Sequence, residues 1–82
     1  MKIRKANIAN EDKLITDVYL HENRKQFHTL VAVPELEWST LISYEEEKSL
    51  LYKRVNDSLA NTMQKQAAEA LTKKIIQWVT EM

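Results

Sequence analysis

The chain has 82 residues, of which 44% are hydrophobic, and its twelve basic and twelve acidic side chains cancel to zero net charge. This length and composition predict one folded domain over residues 1–82, and the charge balance gives no general reason to expect nucleic acid or an anionic membrane as a partner. Cysteine and glycine are both absent, which excludes a disulfide framework, a thiolate site and any glycine-rich phosphate loop.

The N-terminal segment, residues 1–13, is polar with scattered apolar side chains. Ile3 and Ile8 suit a short strand at the edge of a sheet, where Lys2, Arg4 and Lys5 would discourage edge-to-edge pairing. No apolar stretch follows these basic residues, so they do not begin a signal peptide. No run in the chain approaches the roughly 20 apolar residues of a membrane span. We therefore expect a cytoplasmic protein with no membrane partner.

Residues 14–20 allow two interpretations. As a helix, they would carry an apolar stripe of Leu14, Ile15, Val18 and Tyr19. As a strand, they would have one face made of Leu14, Thr16, Val18 and Leu20. We favour the strand, because β-branched and aromatic residues are frequent here and the polar residues 21–25 that follow suit a hairpin loop.

A hairpin centred on Pro34 and Glu35 comes next. Residues 36–44 alternate, with one face made of Leu36, Trp38, Thr40, Ile42 and Tyr44, and this period is that of a strand with one buried face. Residues 27–33 contain a continuous apolar run, which is typical of a central strand. Pro34 has no N–H to donate, so it belongs to the connection, which we expect to be a type I turn in a slightly longer or bulged loop.

Two amphipathic helices complete the chain. Ser43 and Glu46 match a capping box and predict that the first helix starts there. An apolar residue then recurs at every fourth position: Leu51, Val55, Leu59 and Met63. The second helix, over residues 64–80, has a stripe of Ala68, Leu71, Ile75, Trp78 and Met82. Since glycine is absent, we expect Asn23 and Asn61 to take left-handed backbone positions.

These elements predict an α+β domain. Its sheet would be a three-stranded antiparallel meander, with room for a short extra N-terminal strand, and two antiparallel helices would pack on one face. The face left uncovered would hold Ile15, Tyr19, Leu30 and Leu41, among other residues. Because an apolar patch with a polar rim often marks an association surface, we expect a protein partner or a second copy, as in a homodimer, to bind there.

Acidic residues are concentrated in one part of the chain. Five of them, and no basic residue, lie between positions 35 and 47. We therefore expect one rim of the sheet, including Glu35 and Glu37, to be acidic and to help orient a partner.

No pattern in the sequence indicates catalysis or metal binding. His21 and His28 are seven positions apart, which matches no known ligand spacing, and a chain without cysteine offers few other ligands. No serine has the glycine-flanked context of a nucleophile elbow. We therefore expect no enzymatic activity, no metal and no cofactor.

Basic residues on the predicted helices suggest an alternative function, nucleic-acid binding. They form two adjacent pairs, Lys53 with Arg54 and Lys73 with Lys74. Aromatic residues, on which bases would stack, are not interleaved with them. A solvated helix surface is therefore the simpler interpretation, and we do not expect nucleic acid to be the partner.

Three segments of the chain resemble a known family. They are LVAVPELEWS in the predicted hairpin, YEEE at the predicted start of the first helix and IIQWV in the second helix. Over about Leu14 to Val79 they are similar to the YueH-like proteins, a family of small bacterial proteins. The resemblance implies a stand-alone cytoplasmic bacterial protein, and it supplies no catalytic motif and no site residue.

Overall fold

A computed structural model describes residues 1–11 and 13–81. Its elements, in chain order, are β1 (Lys2–Asn10), β2 (Lys13–Asn23), β3 (His28–Val33), a 3-10 turn (Pro34–Leu36), β4 (Trp38–Ser43), α1 (Lys48–Ala60) and α2 (Lys65–Glu81). The strands form one antiparallel sheet in the order β1-β2-β3-β4. The predicted α+β meander is confirmed, and so is the strand interpretation of residues 14–20. Neither helix combines the length and hydropathy needed to cross a membrane.

The extra N-terminal strand is longer than expected. β1 spans nine residues and pairs with β2 from Lys2 to Asn10. Its pairing register shifts between Lys5 and Ile8, and Asn7, within that interval, has a φ of 53°. Asparagine tolerates this left-handed conformation better than most residues. An irregularity of this kind bends a strand and makes pairing with another chain at its outer edge harder.

Left-handed backbone occurs at other positions than those expected. Among residues 1–11 and 13–81, positive φ occurs at Asn7, Glu11, Phe27 and Glu37, whereas Asn61 has a right-handed φ of −78°. Glu37 closes the 3-10 turn, where its N–H donates to the carbonyl oxygen of Pro34 at 3.0 Å. The prediction for Asn23 and Asn61 was wrong, because turn geometry and not residue tolerance decides where the chain reverses.

The core lies between the sheet and the two helices. On β3, Thr29, Val31 and Val33 are buried while the residues between them are only half-buried, so one face of the sheet points into the core. α2 contacts β1, and α1 contacts β4. The helices contribute residues of their predicted stripes, with Leu51, Val55 and Leu59 of α1 and Ala68, Leu71 and Ile75 of α2 buried. Met63 is also buried, but it lies in the connection between the helices. Trp78 packs at the margin of this core, and Met82 lies outside the described residues.

The first helix begins five residues after the predicted cap. Ser43 is the last residue of β4 and pairs with His28, so it is extended and belongs to the sheet. Its carbonyl oxygen accepts from the N–H of Glu46 at 3.2 Å, which forms a turn. Glu47 is the N-cap, and its carboxylate accepts from the N–H of Ser49 at 3.3 Å. The capping-box prediction was wrong because strand pairing at Ser43 prevailed over the local cap.

Candidate functional site

The face of the sheet opposite the helices carries the candidate site. Strand pairing aligns Ile3, Tyr19 and Ala32 in one row across β1, β2 and β3. The neighbouring row, two residues along the strands, joins Leu30 of β3 to Leu41 of β4. Side chains two positions apart share a face of a strand, so these five residues form one contiguous patch. We call this set, Ile3, Tyr19, Leu30, Ala32 and Leu41, the open-face patch.

Exposure of the patch is highest at its two ends. Ile3 on the edge strand β1 is 53% exposed, and Leu41 on the opposite edge strand β4 is 54% exposed. Tyr19, Leu30 and Ala32, on the central strands, are half-buried by their neighbours. Polar side chains surround the patch: the ion pair of Lys5 with Asp17, His21, His28, Ser39 and Ser43. Tyr19, Leu30 and Leu41 thus lie on the face where the sequence placed them.

Ile15 does not belong to this surface. Both Ile15 and Val18 are 0% exposed, although residues three positions apart on a regular strand point to opposite faces. The alternation breaks at Thr16 and Asp17, next to the register shift between β1 and β2. The prediction that Ile15 lies on the open face was therefore wrong, because it assumed alternation without a break along the whole strand.

Glu35 forms hydrogen bonds with the backbone of β2 in the same region. β3 pairs only with the second half of β2, from Tyr19 to Asn23, so the first half needs other hydrogen-bond partners. One carboxylate oxygen of Glu35 accepts from the N–H groups of Thr16 and Asp17 at 2.8 and 3.2 Å. It also accepts from the Thr16 hydroxyl at 3.1 Å. The carboxylate thus satisfies backbone donors that would otherwise face an open gap beside β2.

These hydrogen bonds lower the pKa of Glu35. The largest cause is the Thr16 N–H, followed by the Asp17 N–H, since both favour the ionised carboxylate. A carboxyl whose pKa is lower in the folded state stabilises the fold above its unfolded pKa, and this contribution is lost as the pH falls.

We therefore expect Glu35→Gln to lower the urea midpoint of unfolding near neutral pH. The difference from the wild type should shrink as the pH falls below 4.5, the ordinary glutamate value, because the wild-type carboxyl is then neutral too. Urea unfolding followed by circular dichroism at neutral and acidic pH measures this. Glu37→Gln, two residues along and exposed, is the control and should have no effect. A pH-independent loss for Glu35→Gln would contradict the assigned role.

The five acidic residues between positions 35 and 47 do not form one rim. Glu35 and Glu37 lie before β4 and Glu45 to Glu47 lie after it, so a six-residue strand separates them. Glu46 accepts from Arg54 at 3.0 Å, and Glu47 caps α1. Together with Glu35, three of the five acids are engaged within the chain, which corrects the expectation of an acidic rim.

Arg54 of α1 covers part of the outer edge of β4. Its guanidinium donates to the carbonyl oxygen of Leu41 at 3.1 Å and to the Thr40 hydroxyl at 2.9 Å. The Leu41 carbonyl therefore points away from β3, toward the outer edge of the sheet. Charged side chains at such an edge hinder the addition of another strand. Both edges of the sheet are thus protected, one by Arg54 and the other by the irregularity in β1.

In the described part of the chain, none of three surface cavities brings a histidine together with carboxylates. One of about 220 Å³ lies beside Tyr44 and Glu22, one of about 370 Å³ between Tyr52 and Ile76 of the two helices, and one of about 430 Å³ beside Glu35. The Tyr44 hydroxyl donates to Glu22 at 2.6 Å. Among residues 1–11 and 13–81, no group of three histidine or carboxylate side chains is placed to hold a metal ion.

Comparison with known proteins places the chain in a family. The profile described as "YueH-like protein" matches residues 2–81. The chain belongs to the YueH-like family. It is similar to a protein of Bacillus subtilis (strain 168) named "Uncharacterized protein YueH", with 62% identity over 82 residues that make up 100% of both chains. No solved structure matches the chain. The YueH-like match includes β1 and so extends beyond the segments that first indicated the family.

Ile3 is the patch residue that the sequence interpretation missed. The expectation of a short N-terminal strand grouped Ile3 with Ile8, but in β1 Ile3 is 53% exposed and Ile8 only 8%. Five positions separate them, so period-two alternation assigns them to opposite faces. The buried face of β1 includes Ala6, Ile8 and Asn10, and this weakly apolar set gave little indication of which face pointed inward.

Proposed function

We propose that this YueH-like protein is a non-enzymatic self-association module, in which two copies pack their open-face patches together. The observation that supports it is the contiguous patch itself, which runs from Ile3 on one edge strand to Leu41 on the other with both ends more than half exposed. A contiguous apolar patch with a polar rim is characteristic of association surfaces.

A second copy is the partner that the charges favour. The whole chain has zero net charge, so two copies do not repel each other at long range. Within the open face, the opposite charges of Lys5 and Asp17, which form an ion pair, also cancel. A two-fold axis would set the same patch on both sides of the contact, which suits a surface that is apolar in the middle and neutral at its rim.

Face-to-face packing is favoured over edge-to-edge pairing. Arg54 donates a hydrogen bond to the Leu41 carbonyl oxygen at the outer edge of β4, and the pairing register of β1 shifts between Lys5 and Ile8. Either feature hinders the regular ladder that edge pairing needs. Sheets that pack face to face require no free backbone groups, only interdigitating side chains.

The size of the face predicts a weak contact. Four strands spaced about 4.8 Å apart, each about six residues long at about 3.3 Å per residue, give a plane on the order of 400 Å². A stable interface of standard size buries roughly 800 Å² per partner. We therefore expect reversible dimerisation in the micromolar range or weaker.

The nucleic-acid alternative has less support. Arg54, one of its four basic residues, donates to Glu46, Thr40 and Leu41, so its guanidinium is already engaged. Lys73 lies beside the groove between the helices, near Ile76. A fluorescence-anisotropy titration of labelled oligonucleotides at low salt is a direct test, since phosphate contacts strengthen as salt falls.

Leu41→Glu is expected to abolish self-association without unfolding the protein. Leu41 is 54% exposed in one copy, so its replacement removes little core packing, but a carboxylate there would be desolvated in the contact. Sedimentation velocity over a wide range of protein concentration gives the dissociation constant, and circular dichroism checks the fold.

Leu50→Glu is the matched control. Leu50 is 66% exposed on α1, away from the open face, so this variant should dimerise like the wild type. A wild-type protein that stays monomeric at the highest concentration, or an equal loss in both variants, would contradict the proposal.

A further inference from the structure

Both histidines of the chain lie on the open face. His21 of β2 pairs with Leu30 of β3, and His28 of β3 is two residues before Leu30 on the same face. Each therefore adjoins the half-buried leucine at the middle of the patch. His21 is exposed and His28 is half-buried.

Hydrogen bonding distinguishes the two imidazoles. Nε2 of His28 lies 2.9 Å from the side-chain oxygen of Gln26, which can only accept, so Nε2 carries the ring proton. Nδ1 of His28 is buried and has no hydrogen-bond partner among the described residues. A second ring proton on Nδ1 would therefore find no acceptor among these residues.

We propose that this pair of histidines makes self-association sensitive to pH, with acid dissociating the dimer. The inference rests on the proposed function, since it concerns the same surface. Neutral imidazoles at the rim of an apolar contact can be covered by the second copy at small cost. A protonated imidazole carries a charge, and desolvating it without an acid partner opposes association.

Within the part of the chain that the structure describes, the charged groups around the histidines offer no such acid partner. Asp17, the acid on the open face of β2, is paired with Lys5. Glu22 precedes the loop to β3 and is engaged by Arg24 and Tyr44. The neighbours of His21 and His28 on β3 and β4 are Leu30, Leu41 and Ser43. The helices pack on the other face, so they bring no charge to either ring.

The direction of the effect follows from the sign of the charge. Above about pH 7 an ordinary imidazole is neutral, so association should be strongest there. As the pH falls through the histidine range, each copy gains positive charge on the contact face, and the dimer should weaken. We expect a dissociation constant at least about tenfold higher at about pH 5.5 than at about pH 8.

Sedimentation velocity of the wild type and of the double variant His21→Gln/His28→Gln, at both pH values, tests this. Glutamine is polar and does not titrate in this range, so the double variant should dimerise equally at both pH values. Urea unfolding at each pH checks that all samples remain folded. A wild-type dimer with the same dissociation constant at both pH values, or a double variant whose dimer still weakens in acid, would contradict the proposed pH sensitivity but not dimerisation itself. A wild type that fails to associate at pH 8 would overturn both.

Discussion

Ile15→Ala should lower the free energy of unfolding by about 2–5 kcal/mol, the usual range for removing a fully buried branched side chain. Ile15 is 0% exposed and pairs with Ile8 on the core face of the sheet. Its loss leaves a cavity between the strands and the helices that this small core is poorly able to refill. Urea unfolding followed by far-ultraviolet circular dichroism measures the change.

Leu14→Ala is the matched control for this experiment. Leu14 is the preceding residue of the same strand and is 51% exposed, so its truncation should change stability by less than about 1 kcal/mol. The pair tests the break in alternation within β2, because an unbroken strand would bury Leu14 with Val18 and expose Ile15. Equal losses for the two variants, or a larger loss for Leu14→Ala, would show that the assigned face of β2 is wrong.

Trp38→Ala should have a comparably large effect, about 3–5 kcal/mol. Trp38 is 8% exposed at the start of β4, where its indole joins the core beneath α1. Its Nε1–H donates to the hydroxyl of Ser58 on α1 at 2.8 Å. The variant thus loses both the buried ring and a link between sheet and helix. The same urea titration measures the loss, with the transition slope showing whether unfolding stays two-state.

Two further variants separate the parts of the Trp38 effect. Ser58→Ala keeps the ring but removes the acceptor of the indole N–H, and we expect a loss of about 1–2 kcal/mol. Trp38→Phe keeps an aromatic ring but removes the donor, and we expect a loss smaller than that of Trp38→Ala. If Ser58→Ala were as damaging as Trp38→Ala, the link to the helix rather than ring burial would dominate.

Regular parts of the fold follow from side-chain periodicity. Trp38 and Ile42 are buried on one face of β4 while Leu41 is exposed on the other, as the alternation of residues 36–44 predicted. The every-fourth-residue stripe of α1 likewise predicted the burial of Leu51 and Val55. These predictions succeed because a strand or helix with one buried face must repeat its apolar residues with its own period.

Irregular parts depend on contacts between distant segments. The break in side-chain alternation within β2, which buries Ile15, lies next to the irregular pairing with β1. No local sequence pattern predicts it. The sequence placed Glu35 on an acidic rim of the sheet. In the structure its carboxylate accepts from the backbone N–H groups of Thr16 and Asp17, which lie nineteen and eighteen positions earlier in the chain. The start of α1 was misplaced because Ser43 belongs to a sheet pair with His28. Tyr19, Leu30 and Leu41 nevertheless lie on the open face as predicted, since they occur where alternation is regular.

The side-chain oxygen of Asn10, at the end of the first strand, accepts from the N–H of Gln64 at 2.9 Å, just before the second helix. α2 contacts β1, so two elements that lie far apart in the sequence must meet before the apolar layer is closed. During synthesis the hairpins can form between segments that are close in sequence, but their apolar face remains exposed to water until α2 emerges. The nascent chain is therefore most vulnerable to aggregation after its sheet has formed and before α2 is available to cover it.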